Sequence, residues 1–191
     1  LFDRNIRAFG FDVQKVISDL TIAVVGGGGT GSAVAEQLVR LGVRRLIVVD
    51  PDTLSLSNVT RVYGSIPHDV GQPKVDVVDR RPVEGTITTE RIARELLSAD
   101  VVFACTDDNA GRLRLSCLPY YYGIPVIGVL LNSAADDVID GAFGRVNTIH
   151  PGSACLVCRG RVDLAMADAE LRPRPEGQCQ LRSPSRLHRL L

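Results

Sequence analysis

The feature that most constrains this chain is a run of five glycines in six positions, Gly26-Gly27-Gly28-Gly29-Thr30-Gly31, directly behind a short apolar, β-branched segment, Thr21–Val25. A helical pattern follows from Ser32 to Leu41, with apolar Val34, Leu38, Val39 and Leu41 and with Gly42 as its stop. Arg45–Asp50 then reads as a second buried strand, so that residues 21–50 make one βαβ unit. Gly26, Gly28 and Gly31 satisfy G-x-G-x-x-G. Small residues there let the backbone turn sharply and approach a phosphate. The helix start behind them offers free N–H groups and a positive dipole end. Asp50 closes the second strand about twenty residues beyond the loop, where a carboxylate can bind ribose hydroxyls. A mere packing turn does not require so many glycines. The fingerprint specifies a nucleotide and leaves NAD and ATP open.

The same rhythm returns later. Residues 90–98 read as helix, 100–105 as strand, 109–122 as helix and 124–131 as strand, with a further strand expected over 145–149. Alternation of this kind predicts an α/β fold, a Rossmann-like, doubly wound and mostly parallel sheet with flanking helices. With 191 residues, 45% of them hydrophobic, the chain is long and apolar enough for a single nucleotide-binding domain over 1–191. Two stretches fit this less well. Residues 72–81 predict a helix of about two turns, short for a crossover that needs at least about 10–12 residues, and point to missing residues near Arg80. Residues 159–191 read as a polar, arginine- and proline-rich, incomplete crossover or C-terminal segment. From Ala165 onward no clear element is expected except at Ser185–Leu191.

Charge excludes several partners. The 22 basic and 22 acidic residues cancel, which gives no general pull toward nucleic acid or an anionic membrane, and neither partner is expected. No run of eighteen apolar residues occurs, and Leu1-Phe2-Asp3-Arg4 shows no signal-peptide pattern. The five cysteines are odd in number and widely spread, unlike a disulfide framework, so a reducing cytoplasm is the expected compartment. Cys105 and Cys117 sit in apolar runs and read as inert core thiols. Only Cys155 and Cys158 have metal-ligand spacing. His68, His150 and His188 show no partner pattern.

The segment after the second strand separates ATP from NAD. Asp50-Pro-Asp52-Thr-Leu-Ser-Leu-Ser-Asn58-Val-Thr-Arg61 is followed by Gly71-Gln-Pro-Lys74, by Cys105-Thr-Asp107-Asp-Asn-Ala-Gly-Arg112 and by Pro151-Gly-Ser-Ala-Cys155-Leu-Val-Cys158. With the glycine loop, these resemble the ThiF/MoeB family of adenylating enzymes, related to ubiquitin-activating enzymes. Asp3-Arg4-Asn5-Ile6 and Gln14 also resemble that family's N-terminal segment. The resemblance runs in order from about residue 3 to 158; each motif alone is weak, and five in register are specific.

The resemblance implies an adenylyltransferase that joins a carboxylate to the α-phosphate of ATP and releases pyrophosphate. The substrate would be the C-terminal carboxylate of a ubiquitin-like or sulfur-carrier protein. It places ATP on Gly26, Gly28, Gly29 and Gly31, with Asp50 on the ribose and Asp52 beside it. Asn58, Arg61 and Lys74 then face the phosphates, and Asp107 holds Mg²⁺. Lys74 is one of only two lysines, with Lys15. Arg4 would reach into the partner subunit's site of a homodimer. Cys155 and Cys158 would be half of a zinc site; zinc-bearing relatives have a second C-x-x-C, absent from these 191 residues. Cys179 lies where some relatives carry a sulfur-transfer or thioester cysteine. Two departures bear on efficiency: Val62 replaces a glutamine, and Asp108 replaces an asparagine and adds negative charge beside Asp107. The competing readings are an NAD(P)-dependent oxidoreductase and a non-catalytic nucleotide-binding relative.

Overall fold

The computed structural model describes residues 2–78, 82–84, 89–133 and 142–172. Helices α1 (Asp3–Phe9) and α2 (Phe11–Asp19) precede β1 (Thr21–Val25), α3 (Gly29–Leu41) and β2 (Arg45–Asp50). After two single 3₁₀ turns, Leu56–Asn58 and Pro67–Asp69, come α4 (Lys74–Val78) and β3 (Pro82–Glu84). Then follow α5 (Glu90–Leu96), β4 (Val101–Ala104), α6 (Asn109–Tyr122), β5 (Val126–Ser133), β6 (Ala142–Ile149) and α7 (Leu164–Leu171).

The strands form one sheet in the order β3-β2-β1-β4-β5-β6. β1 pairs in parallel with β2 on one side and β4 on the other, and only β6 runs antiparallel, along β5. The doubly wound, mostly parallel sheet expected from the sequence is present. Side chains alternate across it, and both faces are covered, so the central strands read as unbroken apolar runs. Ala23, Val25, Ile47, Val49, Val102 and Val126 pack with Ile92, Leu96 and Leu115 on one face. Ile22, Val24, Leu46 and Val48 pack with Ala35, Leu38 and Val75 on the other. Each fully buried Val, Ile or Leu contributes about 1.5–3 kcal/mol, which fixes the strand ends that carry the site.

Several expectations shift. α3 begins at Gly29, inside the glycine loop, rather than at Ser32. β6 starts at Ala142, three residues earlier than expected, because its pairing with β5 runs from Ala142↔Ser133 to Ile149↔Val126. α4 is only Lys74–Val78. Gln72 and Pro73 do not join it, because the Gln72 carbonyl accepts the Leu54 N–H at 2.7 Å and Pro73 bridges Thr53. β3 returns parallel to β2 (Val48↔Pro82), so the crossover from β2 closes on the same edge. The gap expected near Arg80 falls outside the described residues, as does the element expected at Ser185–Leu191.

The tail reading needs correction. Residues 164–171 form α7, although the segment looked polar and unstructured. Alanine-rich Leu164-Ala-Met-Ala-Asp-Ala-Glu-Leu171 has high intrinsic helix propensity. Asp163 caps it by accepting the Ala165 and Met166 N–H groups at 2.9 and 3.1 Å. Only Ala167 is buried, so no apolar stripe announced the helix. α1 and α2 are not legible either, but for the opposite reason: Phe9, Phe11, Val13 and Val16 are exposed, while polar Gln14 is buried and donates its Nε2 to the Leu41 carbonyl at 2.9 Å. Among the described residues no helix is long and apolar enough to cross a membrane.

Candidate nucleotide site

The carboxyl ends of β1, β2 and β4 converge where the sheet order reverses, the edge at which doubly wound sheets bind ligands. Gly26 takes φ +100°, and a Cβ there would lie 2.7 Å from the Cys105 carbonyl oxygen. A Cβ on Gly31 would lie 1.6 Å from the Gly26 carbonyl oxygen. These two glycines are demanded by the protein's own backbone. Gly28 differs: nothing lies within 4 Å of where its Cβ would be. It is the N-cap of α3 and provides no side-chain cap, and Ser32 N–H already bonds back to the Gly28 carbonyl at 2.9 Å. The amides of α3 before Ser32 therefore have no helical acceptor. A helix start left in this state is an anion site.

Beneath the loop, buried Asp50 accepts the Gly27 N–H at 2.6 Å through Oδ2 and the Asp52 N–H at 2.8 Å through Oδ1. Lys74 is also buried, its Nζ 2.8 Å from Asp52 Oδ2 and 3.8 Å from Asp50 Oδ1. Burial pushes the Asp50 carboxyl above its ordinary value, against the opposing pull of the Asp52 amide, the Lys74 ammonium and the Gly27 amide. Asn58 is buried at the end of a 3₁₀ turn, and its carbonyl accepts the N–H groups of Arg61 and Val62 at 2.9 and 3.0 Å. That turn sets the Arg61 carbonyl 3.3 Å from the position of a Gly29 Cβ, and Tyr63 N–H donates to Ser32 Oγ at 3.0 Å. The Arg61 side chain is exposed, with no polar partner among the described residues. Val62, where the family pattern has glutamine, is buried and apolar.

The third wall is the loop after β4. Asp107 is exposed and has no hydrogen-bond or ion-pair partner among the described residues. An unpartnered carboxylate at this edge fits Mg²⁺, which takes one or two carboxylates and completes its shell with water and substrate phosphate. Asp108 has a different task from the loose extra charge the sequence implied. It is the N-cap of α6, its Oδ2 accepting the Gly111 N–H at 2.5 Å and its Oδ1 bonded by the Thr106 hydroxyl. Arg112 Nε donates to the Thr106 carbonyl at 3.1 Å, and Glu170 Oε2 accepts the Ala110 N–H at 2.7 Å. Sequence reasoning missed both capping carboxylates. Asp108 carries a local signal, an Asp directly before a helical pattern; Glu170, sixty positions from Ala110 in the chain, carries none.

Arg4 is not brought to this site within its own chain. It is exposed on α1, two residues from Phe2, whose ring lies beside Gly42. Gly42 caps the far end of α3, a helix about 20 Å long. Cys155 and Cys158 share a turn after β6, their sulfurs 3.5 Å apart. Among the described residues no group of three or more His, Cys, Asp or Glu side chains is placed for a metal ion, so the four-ligand set that zinc needs is not assembled by them. Burial pushes the Cys105 thiol up to about 12 and raises Cys117 as well, in keeping with inert core thiols. Cys179 lies outside the described residues.

A bare helix start behind the first strand, an acidic end to the second and a free carboxylate beyond the fourth lie together on an α/β fold of Rossmann type, as a candidate nucleotide site. The chain belongs to the ThiF family, which matches it over residues 2–183. It is 32% identical over 168 residues to molybdopterin-synthase adenylyltransferase of Escherichia coli (strain K12), a match covering 82% of this chain and 65% of that protein. It is 29% identical over 193 residues to ubiquitin-like modifier-activating enzyme 5 of Oryza sativa subsp. japonica, covering 91% of this chain and 46% of that one. The fold is also that of E. coli tRNA N6-threonylcarbamoyladenosine dehydratase, solved in complex with ATP, with a TM-score of 0.61, 21% identity and coverage of 72% and 66% of the two chains. The chain thus spans between 38% and 65% of the length of the first curated relatives it matches, less than two thirds of each.

Proposed function

We propose that this chain is an ATP-dependent adenylyltransferase acting on the C-terminal carboxylate of a small ubiquitin-like or sulfur-carrier protein. The observation that carries the reading is the uncapped start of α3, with open space at Gly28 and the Arg61 backbone packed against Gly29. The chain's likeness to an adenylyltransferase and to a ubiquitin-like modifier-activating enzyme supports the reaction class. Family membership argues against the dehydrogenase alternative.

The chemistry asks little of proton transfer. A carboxylate with an ordinary pKa near 4 is already ionised at pH 7. One of its oxygens attacks the α-phosphorus, the bond from that phosphorus to the β-phosphate bridging oxygen breaks, and pyrophosphate leaves with the electron pair. The obstacle is like charge, so catalysis reduces to neutralisation and positioning. The free amides of α3 receive phosphate oxygens. Asn58, Arg61 and Lys74 line the phosphate path. Asp50 keeps lone pairs for ribose hydroxyls beyond the two amides it binds, with Asp52 holding Lys74 alongside. Asp107 would hold Mg²⁺, which screens the phosphate charge when bound.

ATP–pyrophosphate exchange tests the reading, assayed with small proteins ending in Gly-Gly. Exchange should need both such a partner and Mg²⁺. Asp107→Asn, which keeps shape but removes charge, should lower it at least about a hundredfold. Protein that binds ATP yet exchanges with no such partner would be a non-catalytic relative.

Arg61 and Lys74 alone face a triphosphate and an incoming carboxylate, so a third cation is needed, and we assign it to Arg4 of a second protomer. Its position at the far end of α3 in its own chain favours a trans role. The exposed Phe9, Phe11, Val13 and Val16, with an open apolar groove lined by Ala33, Val34, Leu41 and Phe103, offer surface for a homodimer. Mixing inactive Arg4→Ala and Asp107→Ala proteins should regenerate one intact site per mixed dimer, up to about a quarter of wild-type exchange. Proven heterodimers without recovery would remove Arg4 from the partner's site.

A further inference from the structure

α7 grips the start of α6 at two points. Near its beginning, Asp163 N–H donates to Asn109 Oδ1 at 2.9 Å. Near its end, Glu170 Oε2 accepts the Ala110 N–H at 2.7 Å. Between them Ala167 is fully buried. Asn109 and Ala110 are the first two residues of α6, and Asp107 stands just before its N-cap. Other ties on the loop are Cys105 N–H to the Val25 carbonyl at 2.8 Å, Asp108 to Gly111, and Arg112 to the Thr106 carbonyl. Glu170, like Asp163, reaches it from beyond β6. A carboxylate on a helix-start amide makes a charge-assisted bond, favoured further by the helix dipole. Glu170 is itself exposed, so the tie can open without disturbing the core.

We propose that Glu170 is a positioning residue for Asp107: docking of α7 fixes the first turn of α6, and with it the aim of the Asp107 carboxylate toward a nucleotide-bound divalent cation. The proposal rests on the assignment of Asp107 made above. It extends that site to a helix whose chain continues directly into the residues containing Cys179.

Full-length Glu170→Ala and Glu170→Gln proteins separate the possibilities, since glutamine keeps an acceptor oxygen and loses only the charge. Without nucleotide, amide hydrogen exchange at Ala110 should quicken roughly tenfold or more in the alanine variant, the scale of a lost hydrogen bond to a charged group. Glutamine should restore most of the protection. ATP affinity, measured with and without Mg²⁺, gives the second readout. The alanine variant should lose about tenfold of the Mg²⁺-dependent gain, as outer-shell partners of metal ligands do, and glutamine should recover most of it. Mg²⁺-free ATP affinity should stay at the wild-type value. Unchanged exchange at Ala110, or an equal loss of ATP affinity with and without Mg²⁺, overturns the proposal. Wild-type protein whose ATP affinity ignores Mg²⁺ would instead sink the Asp107 assignment, and the exchange measurement would still decide whether Glu170 holds the loop.

Discussion

Two helices begin on the same edge of the sheet, and the protein treats their starts in opposite ways. α3 opens on Gly28 with no side-chain cap, and its first amides have no helical acceptor. α6 opens on Asp108, whose carboxylate takes the Gly111 N–H, while Glu170 takes the Ala110 N–H. Each helix start carries about half a positive charge. At α6 that charge is neutralised from within the chain; at α3 it is left for a ligand. On the proposed function this difference would sort the nucleotide's charges, with phosphate oxygens drawn to α3 and a cation to the free Asp107 carboxylate beside the neutralised α6. Two similar backbone ends would then serve as an anion site and a cation site, separated by which one the protein caps itself.

Exchanging the two treatments tests this most severely. Gly28→Asp gives α3 the cap it lacks, at a φ of −72° open to any residue. ATP affinity should fall at least about a hundredfold, because like charges brought together cost several kcal/mol. Stability should move by only a few tenths of a kcal/mol, the usual difference between glycine and a good cap. Wild-type ATP binding in that variant would end the contrast. The converse change, Asp108→Ala, should lower stability in urea by about 0.5–2 kcal/mol, the ordinary worth of an N-cap. No loss would mean that Glu170 alone suffices at α6.

The smallest effect lies under the loop. Asp50 has a folded-state carboxyl raised above its ordinary value by burial, so the folded chain holds that proton to higher pH than the unfolded chain. Its contribution is full below the unfolded value, near pH 4, and is lost as pH rises through the folded value. Denaturation midpoints of wild type and Asp50→Asn should therefore diverge as pH rises from the unfolded value of about 4, with wild type losing more. A constant difference would show that the Gly27 and Asp52 amides and Lys74 balance burial, and a trend of the opposite sign that they outweigh it.

What could be read from the sequence was what is local or periodic. Thr21–Val25, the glycines, and Arg45–Asp50 declare β1, α3 and β2, because buried parallel strands are apolar throughout and a phosphate loop needs small residues. The order of motifs from Asp50 to Asp107 likewise names residues that the fold brings to one edge of the sheet. Lys74 was picked out, but its ion pair with Asp52 was not, since the pairing depends on how residues 53–73 fold back through the Thr53–Pro73 bridge. α7 was illegible because one buried alanine leaves no hydrophobic period. α1 and α2 hid for the opposite reason, with apolar side chains outward and Gln14 inward. Glu170 belongs to a class of contacts that no local pattern encodes.

The central position of β1 has a kinetic side. Its pairing with β2 closes over a short stretch, but its other edge meets β4 only through Ile22↔Val101, about eighty residues later. Ribosomes add about 5–20 residues per second, so that edge of β1 waits roughly 4–16 s for its partner during synthesis. Until then the Val25 carbonyl lacks the Cys105 N–H, and Gly26 has no Cys105 backbone against which to turn. Non-local parallel pairing of this kind is slow and leaves strand edges exposed to aggregation. The glycine loop can therefore take its final shape only after β4 has docked, and a chaperone that shields the bare edge of β1 during synthesis would raise the yield of folded protein more than one acting after synthesis.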